Sequence, residues 1–347
     1  MKRIYVFLLL ALLVLTGCGP QEEGSGSRVL HIYNWGDYVD YETIENFEEE
    51  TGIKVIYDTF ASNEDMYVKV KSGQDPYDVL VPSEYMIERM IREEMLQPLN
   101  FDLIPNFSKI SPELLDKDYD PGNVYSVPYY WGTLGIVVNE KLVDEPITSW
   151  KSLWDSKYKN EIIMYNSQRD SIAVALSMLG YSMNSHSEDE LMEAKEALVA
   201  QKPLVYAYLA DEGRDVMSQG DAALSVMYSG DAAMMMEENE DLSYVIPEEG
   251  TNLWYDSFVI PKNAQNPEDA MRFINYMSRP DVAAINAEYN VGYSSPIPEA
   301  VALLPEELRE DPVAYPDLNT LPPLEVYRDL GPYVEIYDRI WTEVTAR

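Results

Sequence analysis

From Val29 onward the chain alternates short β-forming runs with amphipathic stretches, and this alternation restricts the fold more than any other feature. Leu30-His31-Ile32-Tyr33 reads as a strand. Residues 41–51 then place Ile44 and Phe47 on one helical face, with Gly52 suited to end the helix. Residues 53–57 form the next strand, Ser62 or Asn63 caps a short helix that stops at Gly73, and residues 78–81 form a third strand. Ser83 caps a helix carrying Met86, Met90 and Ile91. The second half repeats the scheme less regularly, with strands at 161–165, 222–228 and 254–260. Helices fall at 170–179, from Asn266, and from about Gly331 to the C-terminal end. Such a pattern predicts an α/β fold in which mostly parallel sheets are covered by helices on both faces. A chain of 347 residues allows two lobes, each with its own core, and no period of 20–50 residues suggests a solenoid.

The N-terminal residues carry an address. Lys2 and Arg3 precede an apolar run, 4–15, too short to span a bilayer but of the right size for a signal-peptide core. The run ends in Leu15-Thr16-Gly17-Cys18, which resembles a bacterial lipobox. That resemblance implies a signal peptide at 1–17 and a lipidated Cys18, with two or more acyl chains giving stable anchoring. The alternative is an ordinary secretory signal with an incidental cysteine. Residues 19–27, rich in Gly, Ser and Glu, read as a flexible tether. Cys18 is the single cysteine, so no internal disulfide is possible. The folded part is expected to start near Arg28, on the outer face of the cytoplasmic membrane.

Charge narrows the partners. With 61 acidic and 25 basic side chains the formal charge is −36, which repels nucleic-acid phosphates and anionic headgroups. In open α/β sheets a ligand binds beyond the carboxyl ends of the strands. Here those ends carry Asn34-Trp35-Gly36-Asp37-Tyr38, Pro82-Ser83-Glu84-Tyr85, Tyr165-Asn166-Ser167-Gln168-Arg169-Asp170, Tyr228-Ser229-Gly230-Asp231 and Trp254-Tyr255-Asp256, with Tyr293 after Gly292. Rings and carboxylates recur together, without the Lys and Gly-rich cradle of a phosphate site, and this favours a cation. A ring face attracts an ammonium by ~0.5–2 kcal/mol, and a hydrogen bond to a charged group nets ~1.5–3 kcal/mol. Single residues also have plainer uses: aromatic rings at strand ends pack cores, and Asp37, Asp256 and Ser83 are suited to cap helices. Met234, Met235 and Met236 read as helix core. His31 and His186, isolated from each other, supply no metal-ligand spacing, so neither a metal nor a cofactor is expected. No G-x-S-x-G, H-E-x-x-H, P-loop or G-x-G-x-x-G after a strand occurs, which leaves only an acidic pair as a route to enzymatic chemistry.

Over nearly its whole mature length the chain resembles the PotD-type spermidine/putrescine-binding proteins. The resemblance is carried by Asn34-Trp35-Gly36-Asp37-Tyr38, Glu50-Thr51-Gly52-Ile53-Lys54-Val55, Tyr77-Asp78-Val79-Leu80-Val81-Pro82-Ser83, Val127-Pro128-Tyr129-Tyr130-Trp131-Gly132, Trp254-Tyr255-Asp256-Ser257 and Arg279-Pro280-Asp281-Val282-Ala283. It implies a two-lobed, hinged periplasmic-binding-protein-like fold of type II. It assigns 28–135 plus 259–305 to lobe 1 and 136–258 plus 306–347 to lobe 2, with crossings near 132–135, 257–258 and 297–305. Trp35, Tyr38, Trp254 and Tyr293 fall at its aromatic walls, Asp37, Asp170 and Asp256 at its carboxylates, and Ser83 and Tyr85 at its polar contacts. Tyr228 stands where the spermidine pattern has Trp, Ser167 where it has Asp, and Tyr327 where it has Gln; Asp37 is one methylene shorter than the usual Glu. These departures leave spermidine and putrescine both open.

The expected function is therefore capture of a polyamine by a monomer that serves an ABC permease and its ATPase, without bond chemistry. Three competitors remain: a quaternary-amine (betaine or choline) binder of the same fold, an extracellular hydrolase using two of the carboxylates, and a polyamine sensor that reports to a receptor.

Overall fold

The computed structural model describes residues 28–346. The leader, Cys18 and the tether lie outside the described residues. The chain opens with β1 (Val29–Trp35), α1 (Tyr41–Thr51), β2 (Lys54–Phe60), α2 (Asn63–Ser72), β3 (Val79–Leu80) and α3 (Glu84–Arg92). Local chemistry sets these boundaries. Asp40, not Asp37, caps α1 by accepting from the Glu42 N–H at 2.9 Å, and Gly52 ends it at φ 69°. Ser62 caps α2 through the Asp65 N–H, which frees the neighbouring Asn63 side chain for other work. Both β2 and β3 pair with β1 in parallel, as the alternation predicts.

The expectation omitted the central strand. β4 (Ser126–Asn139) is buried along all of its length, so it shows no polar alternation, and Pro128 interrupts its sequence signal. The pairing shifts between Pro128 and Tyr130, so the strand accommodates its proline at an irregularity. After it come β5 (Ile162–Tyr165), α4 (Gln168–Leu179), α5 (Glu188–Gln201), β6 (Val205–Leu209), α6 (Glu212–Ser218), β7 (Leu224–Tyr228), α7 (Ser229–Glu238) and β8 (Leu242–Val245). β9 (Thr251–Val259) then leads to α8 (Pro267–Met277), α9 (Pro280–Tyr289), the short α10 (Pro298–Val301) and α11 (Glu306–Arg309), β10 (Leu324–Glu325) and α12 (Val334–Thr345).

The strand order is β2-β1-β3-β9-β4-β7-β5-β6, with β8 also on β4 and β10 on β9. Parallel pairs lie at the two wings, and β4 and β9 run antiparallel between them. Ser126 to Thr133 of β4 pair with Val259 to Leu253 of β9, whereas Leu134 to Val138 pair with β7. Two large cores flank this switch. One gathers Leu30, Phe47, Tyr130, Phe258 and Phe273; the other gathers Leu134, Trp150, Ile172, Val226 and Tyr337. Leu308 and Tyr315 pack against the first, while Tyr327 and Leu330 belong to the second. Met235 is buried as expected of helix core, but Met234 and Met236 are only half-buried. His186 stacks on Tyr333 at 4.5 Å, a packing role.

Candidate ligand-binding site

The C-terminal ends of β1, β3, β5, β7 and the middle of β9 bring most of the expected residues together. Asp256 is buried in β9 and accepts two short hydrogen bonds, from Tyr38 Oη and Ser83 Oγ, both at 2.6 Å. Ser83 occupies the N-cap position of α3 but makes no cap hydrogen bond, because its hydroxyl serves Asp256 instead. Asn63 donates to Ser83 Oγ at 3.0 Å and to Tyr85 Oη at 3.1 Å; the Tyr85 hydroxyl in turn donates to Glu64. The Tyr85 ring meets the Tyr327 ring edge-on at 6.5 Å.

A second buried carboxylate closes the other end. Asp170, in the first turn of α4, accepts from Tyr228 Oη at 3.0 Å and Tyr327 Oη at 3.2 Å. Ser167 caps α4 through the Asp170 N–H at 3.3 Å, so the serine orients the helix turn that carries this carboxylate. The two tyrosines that depart from the spermidine pattern thus both use their hydroxyls to hold Asp170. Arg169 lies 3.8 Å over the Tyr327 ring and is fixed by the Met183 carbonyl. From Asp170 the path returns through rings: Tyr228 to Trp254 at 5.9 Å, Trp254 to Tyr293 at 5.9 Å, and Tyr293 to Tyr38 at 5.1 Å. The contacts therefore close into a loop with Asp256 and Asp170 opposite each other. An aromatic arc (Tyr38, Tyr293, Trp254, Tyr228) joins them on one side and a more polar arc (Ser83, Asn63, Tyr85, Tyr327) on the other.

Three expected residues stand outside this loop, Ser167 touching it through the Asp170 N–H alone. Trp35 is half-buried, packs on Phe60 at 4.5 Å and reaches the loop only through Tyr38 at 6.5 Å. Asp37 is exposed, at φ 48°, and is neither a helix cap nor part of the buried set. Asn63 was missed, and Asp231 stands among the strand-end residues but not among the expected ligand contacts. Asn63 reads as a helix-start residue in the sequence. Asp231 was visible at the end of β7, and the strand-end rule alone had signalled it.

Burial governs the electrostatics. It pushes the Asp256 carboxyl up to about 6, against the opposing pull of the Ser83 and Tyr38 hydroxyls. Asp170 is raised for the same reason, with Ser167, Tyr228, Arg169 and Tyr327 pulling back. Behind Asp256, the buried Glu84 is pushed up to about 8 by burial, although it accepts from the Tyr255 N–H. Burial thus moves both carboxyls toward the neutral form, and a ligand cation held between them would offset that cost. Among the described residues no group of three or more His, Cys, Asp or Glu side chains is arranged to hold a metal ion.

Comparison with known proteins identifies the family. Residues 42–316 match the sequence model of the family described as bacterial extracellular solute-binding protein. A spermidine/putrescine-binding periplasmic protein of Salmonella typhimurium is 39% identical over 324 residues, 93% of each chain. The crystal structure of the spermidine/putrescine ABC transporter substrate-binding protein PotD of Streptococcus pneumoniae, in complex with calcium and HEPES, is 45% identical. It covers 92% of this chain and 99% of its own, with a TM-score of 0.81. A putative spermidine/putrescine ABC transporter structure from Listeria monocytogenes is 44% identical, with the same coverages and a TM-score of 0.88. The chain belongs to the bacterial extracellular solute-binding proteins, in the group that holds the PotD-type spermidine/putrescine-binding proteins.

Proposed function

We propose that this protein captures a polyamine, spermidine or putrescine, between two hinged lobes outside the cytoplasmic membrane and delivers it to an ABC importer. The observation that carries the reading is the closed loop of contacts in which two buried carboxylates, Asp256 and Asp170, are joined by an aromatic arc. Ammonium groups meet the carboxylates and the methylene chain lies on the rings. Two or three charged hydrogen bonds at ~1.5–3 kcal/mol each, with ring contacts, suffice for the roughly −8 kcal/mol of micromolar binding after association costs. The mechanism is binding without chemistry. A betaine-type ligand has no use for a second carboxylate.

The expected division, 28–135 plus 259–305 for lobe 1 and 136–258 plus 306–347 for lobe 2, is kept in outline, but its crossings are moved to follow the strand pairing and the cores. The change of partner at Thr133/Leu134 of β4 supports the first crossing. The pairing of Thr133 with Leu253 supports a return earlier than 257–258. The packing of Tyr315 with the first core and Tyr327 with the second supports a third crossing later than 297–305. Tyr38, Ser83 and Tyr293 then approach the ligand from lobe 1, and Asp170, Tyr228 and Tyr327 from lobe 2. Only a ligand that touches both can favour closure.

Titration calorimetry of residues 28–347 with putrescine, spermidine, spermine and glycine betaine, at low and high salt, tests the reading. One-to-one polyamine binding that survives high salt is expected. Binding that collapses with salt would be loose attraction to a −36 chain and would sink the proposal. Closure has its own test at Gly230, where an added Cβ would meet the Tyr293 ring at 2.6 Å. Gly230→Ala is expected to favour the open form by ~1–3 kcal/mol, seen as a larger radius of gyration in solution scattering with ligand present. An unchanged radius would count against closure through that contact. Cys18 is the proposed lipid attachment point, and Cys18→Ser is expected to release the protein from the membrane fraction of expressing cells; retention would argue against the anchor.

A further inference from the structure

Beyond the loop, on the far side of Tyr293, lies a third carboxylate that already has a cation. Asp231, in the first turn of α7, is buried and accepts from Tyr293 Oη at 3.1 Å. Arg214 of α6 brings its guanidinium to 3.6 Å from the same Asp231 oxygen and 3.8 Å from Asp211. Three-quarters of the Arg214 side chain is buried, and the charge of Asp37 also acts on it across the mouth of the site. Asp211 and Asp231 thus flank a single guanidinium at the Tyr293 end, whereas Asp256 is hydrogen-bonded by hydroxyls alone and Asp170 by hydroxyls with the Arg169 charge acting on it.

We propose that Arg214 determines specificity: its guanidinium holds the place beside Asp231 that a third ammonium would take, so the site favours a diamine over a triamine. The inference rests on the polyamine reading and deepens it. A diamine needs two carboxylates, and the loop supplies Asp256 and Asp170. A triamine must extend past one of them, and past Tyr293 it meets a fixed positive charge. A fixed charge in a partly buried site repels a like charge far more than bulk water would allow.

Calorimetric titration of wild type, Arg214→Gln and Arg214→Lys with putrescine and spermidine separates the possibilities. In wild type putrescine is expected to bind more tightly. Arg214→Gln is expected to move the spermidine-to-putrescine affinity ratio toward spermidine by about tenfold or more, and Arg214→Lys, which keeps the charge, to leave the ratio near the wild-type value. Equal gains for both ligands in the Gln variant would mean only a general field and would overturn the inference. Equal losses with a lowered melting temperature would mean a structural arginine and would overturn it too. Wild type that binds neither ligand would instead refute the polyamine reading, a result distinct from an unchanged ratio in a binding-competent variant.

Discussion

Asp256→Asn is expected to weaken polyamine binding on the order of a hundredfold while the protein stays folded. Asp256 is 5% exposed, and its two oxygens are held by Tyr38 and Ser83 at 2.6 Å, so it cannot turn away to solvent. An ammonium closed against it has lost its own water and depends on the opposite charge. Asparagine keeps the size and one acceptor but removes that charge, and it turns an amide N–H₂ toward one of the hydroxyls. Removing one partner of a desolvated charge pair costs about 2–5 kcal/mol. Calorimetry gives the affinity, and a melting curve without ligand checks the fold. A loss below about threefold would place the ammonium elsewhere. The same substitution separates polyamines from quaternary amines, since a cage of rings alone would hardly register it.

The second large effect concerns pH. Affinity is expected to fall as pH drops through about 6, by roughly tenfold between pH 7.5 and pH 5, because a proton on Asp256 competes with the ligand. One unit below such a midpoint leaves about one site in eleven ionised, and the burial-raised Asp170 adds to the slope. The sign for stability is opposite. Each carboxyl is raised above its unfolded value, so the folded state holds more protons between the two, and unliganded stability falls as pH rises through that window. Ligand ammonium reverses this loss. The ligand-induced rise in melting temperature should therefore be larger at pH 7.5 than at pH 5, with proton release near pH 6 visible as a buffer-dependent heat. Equal shifts at both pH values would mean that the carboxylates are already ionised without ligand.

Much of this was readable in the residues. Caps and glycines marked α1 and α2, and β-branched runs bounded by them marked β1 to β3, because each of those signals is local. β4 was not readable. Its fourteen residues are buried on both faces, so the usual two-residue alternation vanishes, and Pro128, Gly132 and Gly135 mimic a loop. Within the site, the strand-end rule reached Asp256, Asp170 and Tyr38, since these lie where any α/β sheet exposes its crevice. It did not reach Asn63 or Arg214, whose roles depend on neighbours far away in the chain: Ser83 and Tyr85 for one, Asp231 for the other. The expectation that Ser83 caps its helix failed for a related reason, because a buried carboxylate at residue 256 outcompetes a backbone N–H for its hydroxyl.

The pairing of β4 with β9 also limits the kind of motion available. By the proposed crossings, at Thr133/Leu134 on β4 and near Leu253 on β9, the chain passes between the lobes along two adjacent strands whose ladder, from Ser126/Val259 to Thr133/Leu253, ends at the crossing. Such a plank bends easily out of its own plane but resists sliding, since a slip of one residue would turn every side chain to the wrong face. Under the proposed two-lobe division, opening would be confined to something close to a single swinging coordinate, with Trp254 and Asp256 on β9 beside its axle. Each closing stroke must bring the same atoms back to them. A transporter waiting at the membrane would consequently meet one repeatable shape, whatever the path taken by the ligand on its way in.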